Sequence, residues 1–404
     1  MPLSAIESAV LDRVRALGPR LESRLAELVE VNSYTVNTAG VDAVARILEV
    51  WLEELGFAVQ TIRDPGVGAH LVARRPGTGP RILLVGHSDT VFPPDHPVGG
   101  FRIDPEDPSR ILGPGVTDMK GGNVVMLGAL EALAGEGRLA GLDLTVFFSG
   151  DEEIGSPAGA RHLEALAREA DLALVFETGS ELEGDATTFV TERKGIGRAR
   201  IEVAGVESHA GARKERGLSA ALSAARKIEA LEALNDPARG TSVNVGLVSA
   251  GTAVNTVPGT ARLEVDFRFR SRADGDAVVA AMREIAGRAD VENPLTGDRS
   301  SGRFTLELRT EPMTPDARVA AVVARLTACA AELGLDLRPE YRGGASDGNV
   351  TSGAGCPTVD GLGTVGGRIH SAGEWMRRRS LVDRTALLAL GLLRADRLVA
   401  GDAS

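Results

Sequence analysis

The sequence has few aromatic residues and few cysteines. Phenylalanine, tyrosine and tryptophan make up 3% of the 404 residues, so leucine, valine and alanine must fill most of the interior. Its two cysteines, Cys329 and Cys356, each lie in an apolar segment. This setting suits small buried side chains in a reducing compartment better than a disulfide bond. The cysteine content therefore predicts a cytoplasmic protein.

The sequence also lacks long apolar runs and an excess of basic residues. No stretch approaches the roughly 20 apolar residues that a transmembrane helix needs. The first 18 residues carry charges among the apolar positions, which is typical of an amphipathic helix and not of a secretion signal. A formal net charge of -11 would repel nucleic acid and anionic membranes. We therefore expect neither nucleic acid nor a membrane among the partners.

The order of helical and strand patterns predicts two domains. Three short apolar segments, residues 82–86, 143–149 and 172–176, are separated by helix-length stretches, which is typical of an α/β sheet covered on both faces. After them the order becomes βαββαβ with alternating strands, as in a ferredoxin-like unit, and the first kind of pattern then returns. We predict an α/β domain of residues 1–191 and 310–404, interrupted by an inserted domain of residues 192–309.

Acidic and histidine residues follow each of the three predicted strands. His87 and Asp89 end the first, Glu152 and Glu153 follow the second, and Glu177 follows the third. Ligands of open α/β sheets gather at the carboxyl ends of the strands, so these side chains are expected to share one crevice. Because Asp89 lies two residues after His87 in an extended chain, it would point the same way and orient the imidazole.

Two loops add further ligand-type side chains. The Gly-rich segment GPGVTDMKGG contains Asp118, and GGRIHSAGEW contains His370. If Asp118, Glu153 and Glu177 converge, two divalent cations balance their charges and that of a hydroxide. Without cations the carboxylates would be driven to protonate. The mixture of imidazole and carboxylate predicts two zinc ions per subunit, although cobalt and manganese also suit these ligands.

Simpler explanations exist for each motif alone. Acidic residues are favoured at helix N-termini, so GDEEIGS also suits an ordinary helix start. A single histidine such as His370 is more often a surface or core residue than a ligand. Five separate motifs at strand ends or in Gly-rich loops are harder to explain in this way, and their combination favours a metal site.

Seven motifs together resemble a known enzyme family. They are GHSDTV, GPGVTDMKGG, FSGDEEIGS, FET, ESHAG, GGASDGN and GGRIHSAGEW, and they span nearly the whole chain. The family is that of co-catalytic zinc metallopeptidases, with glutamate carboxypeptidases, aminoacylases, acetylornithine deacetylases and succinyl-diaminopimelate desuccinylases. The sequence is most similar to the glutamate carboxypeptidase branch. The resemblance implies a zinc-peptidase-like α/β/α catalytic domain, an inserted ferredoxin-like lid and dimerisation domain, and hence a homodimer.

The resemblance also implies a set of metal ligands. Asp118 would bridge two zinc ions, with His87 and Glu177 completing one site and Glu153 and His370 the other. Proteins of this family often hold the peptide bond after the bridging aspartate in the cis form.

Catalytic roles follow from the same resemblance. Glu152 would be the general base, and His209 of ESHAG would stabilise the oxyanion from the partner subunit. Asp89, expected to orient the imidazole of His87, is the third catalytic candidate. The sequence itself leaves open which of the adjacent Glu152 and Glu153 is the base and which the ligand. The substrate would be bound by four further residues: Arg268, Asn255, Gly344 and Ser346.

The expected activity is hydrolysis of an amide bond in a small carboxylate-bearing peptide or N-acyl amino acid. The released residue would be a C-terminal amino acid, with glutamate favoured. An N-acyl-amino-acid deacylase of the deacetylase or desuccinylase type is the alternative within the family.

Two hypotheses lie outside this family. The segment GASDG fits the nucleophile motif G-x-S-x-G, which predicts a serine hydrolase with Ser346 as nucleophile and His370 as base. A binding protein that kept the fold without turnover is the second. The presence of every ligand-type residue together with Glu152 argues against it.

Overall fold

The computed structural model describes residues 3–399. The described chain forms ten α-helices, namely α1 (Ala5–Val29), α2 (Thr38–Glu54), α3 (Lys120–Gly135), α4 (Gly159–Glu169), α5 (Ala220–Glu232), α6 (Arg272–Gly287), α7 (Ala317–Glu332), α8 (Asp347–Gly353), α9 (Ser380–Leu393) and α10 (Ala395–Val399). Its strands are β1 (Ala58–Ile62), β2 (His70–Arg75), β3 (Arg81–His87), β4 (Arg102–Ile103), β5 (Arg110–Leu112), β6 (Asp143–Ser149), β7 (Leu172–Val175), β8 (Thr187–Arg193), β9 (Gly195–Ala204), β10 (Ser208–His209), β11 (Ser242–Ala250), β12 (Thr256–Val257), β13 (Thr260–Phe269), β14 (Ser301–Thr310), β15 (Leu337–Arg342), β16 (Thr358–Val359), β17 (Gly366–Gly367) and β18 (Trp375–Arg377). Among these described helices, none is both long and apolar enough to cross a membrane.

The chain folds into two compact units. The first takes the chain up to residue 192, residues 313–342, and the chain from residue 346, while the second consists of residues 193–312 with residues 343–345. The first unit therefore contains α1 to α4 and α7 to α10. The second contains α5, α6 and β9 to β14.

A six-stranded sheet forms the centre of the first unit, in the order β1-β2-β6-β3-β7-β16. Strand β3 runs parallel to both β6 and β7. At one edge β2 runs antiparallel to β6, and β1 runs antiparallel to β2. Alternate residues of β3 pack on opposite faces, as expected for a strand covered on both sides. Ile82 and Leu84 belong to the large core formed with α1, α3 and α9, and Leu83 and Val85 pack with Leu163 of α4. The predicted α/β class is confirmed.

The second unit contains an antiparallel sheet in the order β11-β13-β9-β14. Helices α5 and α6 pack on one face of it, and Leu231, Met282, Ile201 and Phe267 lie in their shared core. Apart from the short strands β10 and β12, its elements follow the predicted βαββαβ order.

Candidate metal centre

Three strand ends bring the predicted ligands to one edge of the central sheet. His87 is the last residue of β3, the segment with Glu152 and Glu153 follows β6, and Glu177 follows β7. Because these strands are parallel, their carboxyl ends lie at the same edge. The hydrophobic strands thus fix where the polar side chains meet.

Asp118 lies between the two histidines. Its Oδ1 is 3.3 Å from Nε2 of His87, and its Oδ2 is 3.1 Å from Nε2 of His370. Each oxygen of the carboxylate therefore faces a different imidazole. This is the arrangement that a carboxylate needs in order to bridge two cations.

The remaining carboxylates complete two neighbouring groups. Nε2 of His87 is 3.7 Å from Glu177 and 4.0 Å from Glu152, while Nε2 of His370 is 3.3 Å from Glu153. Potential ligand atoms of His87, Glu152 and Glu177 lie within 4.8 Å of one another, as do those of His87, Asp118 and Glu153. The structure therefore brings all the predicted metal ligands and the predicted base together.

Asp89 organises the loop beside His87. Nδ1 of His87 lies 3.0 Å from the backbone oxygen of Asp89 and 3.4 Å from its carboxylate, so both groups orient the ring. The carboxylate also accepts hydrogen bonds from the backbone amides of Glu152 at 3.2 Å and Glu153 at 3.1 Å, and from the Thr35 hydroxyl at 2.7 Å. One buried aspartate thus holds a candidate ligand and the backbone of the candidate base.

The three consecutive carboxylates after β6 have separate partners. Asp151 accepts hydrogen bonds from the amides of Ala158 at 2.8 Å and Gly159 at 3.2 Å, where α4 begins. It therefore serves the helix N-terminus, where negative charge is favourable. Glu152 and Glu153 face the histidines instead. The explanation that an acidic residue here stabilises a helix N-terminus is therefore correct for Asp151, one of the three residues.

The loop before α3 is held close to the strand ends. A Cβ added to Gly122 would lie 2.0 Å from the backbone oxygen of Phe176, so only glycine lets the helix approach β7 this closely. The peptide bond between Asp118 and Met119 is cis, as the family resemblance implies.

Glu374 is a buried residue of this loop region that the sequence did not single out. Its Oε1 accepts hydrogen bonds from the amides of Thr117 at 3.0 Å and Asp118 at 3.2 Å. Burial, followed by the charge of Asp118, raises the pKa of Glu374 to about 8. It lies within GGRIHSAGEW, four residues after His370, so the motif itself carried the signal.

Asp347 is the second acidic residue that the sequence analysis missed. It is buried at the start of α8, within GGASDGN, and its Oδ1 accepts a hydrogen bond of 2.6 Å from the Ser156 hydroxyl. Burial raises the pKa of Asp347 to about 7, and the neighbouring charges of Asp151 and Asp89 add to this effect.

The carboxylates of the centre repel one another electrostatically. Burial, followed by the charge of Glu177, raises the pKa of Glu152 well above its ordinary value. Burial, followed by the charge of Asp118, raises the pKa of Glu153 to about 7. Hydrogen bonds to Asp118 and Glu153 raise the pKa of His370 to about 10. In the absence of cations, protons therefore compensate the negative charge.

His87 and Asp118 behave as an ion pair. Burial alone would lower the pKa of His87, but hydrogen bonds to the carboxylates of Asp118 and Asp89 raise it well above the ordinary value. Burial alone would raise the pKa of Asp118, but hydrogen bonds to His370 and His87 lower it.

Two of the predicted substrate and oxyanion residues are neighbours in the second unit. His209 pairs with Thr256 in a short antiparallel ladder, and the amide of Ala210 donates to the backbone oxygen of Asn255 at 2.9 Å. Nδ1 of His209 accepts hydrogen bonds from the amides of Gly211 and Ala212, at 3.2 and 3.1 Å. In a neutral imidazole this leaves the proton on Nε2, where it is available for donation.

Arg268 and Gly344 also lie in the second unit. The Arg268 guanidinium donates to both carboxylate oxygens of Asp266, at 2.8 and 3.1 Å. This acidic partner is two residues away on the same strand face. The backbone oxygen of Gly344 accepts a hydrogen bond of 3.1 Å from Arg193.

Ser346, the nucleophile of the serine hydrolase hypothesis, is the N-cap of α8. Its hydroxyl donates to Asp360 at 2.6 Å and accepts from the amide of Gly348 at 3.0 Å. Nε2 of His370, the proposed base, lies beside Asp118 instead. The geometry therefore gives this serine a capping role.

Comparison with protein-family models agrees with the geometry of the centre. The model of the peptidase family M20/M25/M40 matches residues 83–394. The chain belongs to this family. M20 peptidases hydrolyse amide bonds, so the protein is a hydrolytic enzyme.

Two relatives represent different branches of the M20 family. Carboxypeptidase G2 from Pseudomonas sp. strain RS-16 is 30% identical over 365 residues, covering 87% of this chain and 83% of that protein. A succinyl-diaminopimelate desuccinylase from Janthinobacterium sp. strain Marseille is 27% identical over 368 residues, covering 87% of this chain and 93% of that protein.

Solved structures share the fold of this M20 chain. A tripeptidase from Staphylococcus aureus has a TM-score of 0.74 at 23% identity and covers 94% of this chain and 99% of its own. An M20 family metallo-carboxypeptidase from Sulfolobus solfataricus has a TM-score of 0.72 at 17% identity and covers 92% and 98%.

The residues present fit a pair of metal ions of the kind that M20 metallopeptidases hold. Glu153 has a buried Oε1 without a hydrogen-bond partner in the described part of the chain, an arrangement that is costly unless a cation satisfies it. The donor set combines imidazole nitrogens with carboxylate oxygens at short range. Such a set suits zinc and related divalent metals.

Metal removal should make stability strongly dependent on pH. Without metal, the pKa is raised to about 7 for Glu153, to about 7 for Asp347 and to about 8 for Glu374. Between the ordinary pKa of a carboxyl group and these raised values, the folded state binds more protons than the unfolded state. Stability then falls as pH rises through this window. We expect the melting temperature of chelator-treated protein to fall between about pH 5 and about pH 8, and that of zinc-loaded protein to fall much less.

Calorimetry of both forms across this range measures the difference. Because bound cations favour the ionised carboxylates, zinc should stabilise the protein most at the alkaline end. Parallel melting curves for the two forms at every pH would contradict a shared acidic centre.

Proposed function

We propose that the protein is a dinuclear zinc carboxypeptidase that releases a C-terminal amino acid, with glutamate favoured, from a small peptide or N-acyl amino acid. Membership of the M20 family supports hydrolysis of an amide bond, and the similarity to carboxypeptidase G2 supports the carboxypeptidase type. The homodimer and the cytoplasmic location stay predictions.

The observation that carries this proposal is the position of Asp118 between two histidines, with a carboxylate beside each. We propose that two metal ions would be held here, with Asp118 shared between them, His87 and Glu177 as further ligands of one and Glu153 and His370 of the other. The distances of 3.1 to 3.7 Å between these side chains support this assignment. When bound, the metal pair supplies Lewis acidity, which polarises the amide carbonyl and makes water a nucleophile near neutral pH.

Glu152 is the proposed general base. Its carboxylate lies 4.0 Å from Nε2 of His87, beside the residues that would hold the metal ions, as a base acting on an activated water must be. In this proposal a carboxylate oxygen of Glu152 takes a proton from the attacking water and then donates it to the nitrogen of the leaving amine. Hydrogen bonds from the backbone amides of Glu152 and Glu153 to Asp89 hold the turn during both transfers.

Residues of the second unit are proposed to recognise the substrate. The protonated Nε2 of His209 would donate to the oxyanion, and Arg268 and Asn255 would bind the substrate carboxylate. Because Asp266 already accepts from Arg268, a substrate carboxylate would have to share this guanidinium or replace the aspartate. Such competition favours a substrate group that binds in the same bidentate manner.

A deacylase is the second candidate within the family. Its support is the similarity to succinyl-diaminopimelate desuccinylase, which covers most of both chains. The two candidates share the metal centre and the base. They differ in which side of the scissile amide carries the recognised group.

A panel of substrates separates the two candidates. The first set, for the carboxypeptidase, contains peptidyl and N-aroyl amino acids with glutamate, aspartate, leucine or lysine at the C-terminus. The second set, for the deacylase, contains N-acetyl and N-succinyl diamino acids. The released amino acid is measured for both sets. We expect the highest kcat/KM with C-terminal glutamate, complete loss after chelation, and recovery when zinc is restored.

Cobalt and manganese are added in parallel to the chelated protein, because both suit the same ligands. A preference for N-succinyl substrates would establish the deacylase instead. Unchanged turnover in excess chelator would exclude both candidates.

A further inference from the structure

The turn that carries Glu152 and Glu153 is short and sharply closed. Residues Glu152–Ile154 form a single 3₁₀ turn, closed by hydrogen bonds from the amide of Gly155 to the Glu152 oxygen and from the amide of Ser156 to the Asp151 oxygen. Gly155 and Ser156 both have positive φ, at 92° and 53°. Glycine adopts this region freely, but serine requires support from its surroundings.

The Ser156 side chain provides that support. Its hydroxyl donates to Oδ1 of Asp347 at 2.6 Å, which joins the end of the turn to α8. Both residues are 3% exposed. Oδ2 of Asp347 has no hydrogen-bond partner in the described part of the chain. A buried carboxylate so sparsely satisfied is costly, so its contact with Ser156 needs an explanation beyond stability.

The turn is thus attached at both of its ends. Asp89 accepts from the amides of Glu152 and Glu153 at the beginning, and Asp347 accepts from Ser156 at the end. A general base must be placed to within a fraction of an ångström, and a displacement of roughly 1 Å can reduce a rate by about a hundredfold. A turn of three residues attached at one end only would have more freedom than this.

We propose that the hydrogen bond between Ser156 and Asp347 is a positioning contact that fixes the turn bearing Glu152 and Glu153. This inference rests on the proposed function, in which Glu152 is the base. In this inference Asp347 acts through its hydrogen bond with Ser156. Its contribution is therefore to kcat, with little effect on substrate affinity.

Four single variants separate the hydrogen bond from the charge and from the backbone strain. Ser156→Ala removes the donor and keeps the charge, and Ser156→Gly also removes the donor but relieves the strain of positive φ. Asp347→Asn keeps an oxygen acceptor and removes the charge, while Asp347→Ala removes both.

We expect Ser156→Ala, Ser156→Gly and Asp347→Ala each to lower kcat by about ten- to a hundredfold, with KM within about twofold of wild type. Asp347→Asn should keep kcat within about threefold of wild type, because its carbonyl still accepts from Ser156. The double variant of Ser156→Ala with Asp347→Ala should match Asp347→Ala within about twofold, because both changes remove one contact.

Hydrogen exchange gives a readout that does not depend on turnover. The amides of residues 152–156 should exchange faster in the three variants that lose the bond and at the wild-type rate in Asp347→Asn, while α4 and β6 remain unchanged. Three results would each overturn the inference. They are wild-type kcat in Ser156→Gly, equal losses of kcat in Asp347→Asn and Ser156→Ala, and additive losses of kcat in the double variant. Failure of the proposed function would look different, because the wild-type protein would then release no amino acid from any substrate. The hydrogen-exchange rates of the variants would still show whether the contact fixes the turn.

Discussion

Replacing Glu152 with glutamine is expected to lower kcat by about a thousandfold or more, since general base catalysis contributes about 10²- to 10⁴-fold. Glutamine has nearly the same shape but cannot take a proton from water. The measurement is kcat for the preferred substrate, together with the metal content of each variant by mass spectrometry. Two metal ions per chain should remain bound.

Metal content decides between two roles for this residue. Glu152, like Glu177, lies close enough to His87 to act as a ligand, so geometry alone permits either role. Loss of one metal ion in Glu152→Gln would make it a ligand, and unchanged kcat would exclude it as the base. Glu183→Gln, the same change at an exposed site, is the matched control and should behave as wild type.

Replacing Asp118 with asparagine is expected to weaken metal binding by at least about a hundredfold and to abolish measurable hydrolysis, because even residues that only support ligands contribute about 10- to 100-fold. Asparagine keeps one carbonyl oxygen, but its amide group cannot bind a cation. The charge that balances the metal pair also falls by one. Titration calorimetry with zinc measures both the affinity and the number of sites.

At least one site should be lost in Asp118→Asn. Asp12→Asn is the control, because Asp12 is exposed and forms a surface ion pair with Arg15, a type of pair that contributes little. Two sites with wild-type affinity in Asp118→Asn would show that this carboxylate does not bridge the metal ions.

The sequence was sufficient to predict where the candidate centre forms. Apolar strands with His87, Glu152 and Glu177 at or just after their ends could be recognised because the pattern of strand, polar residue and helix is local. A parallel sheet then requires the ends to meet. The α/β class followed from such local patterns and the hydrolase family from the resemblance of seven motifs to known enzymes, and both are confirmed.

Roles that depend on distant partners could not be read in this way. Without the family resemblance, nothing in the sequence separates Asp151, which caps α4, from the two glutamates that follow it. Asp347 and Glu374 lie within motifs that were recognised in the sequence, but their partners, the Ser156 hydroxyl and the backbone amide of Asp118, appear only in the structure. Burial of a charge is a property of the tertiary structure, and composition does not reveal it.

The hydrogen bonds of Arg268 and Ser346 were also not predicted from the sequence. Asp266 is two residues from Arg268, so strand alternation could have suggested the pair. The partner of Ser346, Asp360, lies after the helix that the serine caps, and no local pattern connects them. The variant Asp266→Asn tests the proposed binding of a substrate carboxylate by Arg268, because it removes the charged group that already accepts from this guanidinium. KM is the measured quantity.

The capping of α4 by Asp151 limits how this segment can evolve. Between residues 151 and 159 the chain must end a turn and begin a helix. Within the same stretch the side chains of Glu152 and Glu153 lie at the candidate metal centre, whereas Asp151 contacts the helix N-terminus. Insertion or deletion of one residue would move each carboxylate into the role of its neighbour. Homologues should therefore tolerate substitutions in this stretch far better than changes in its length.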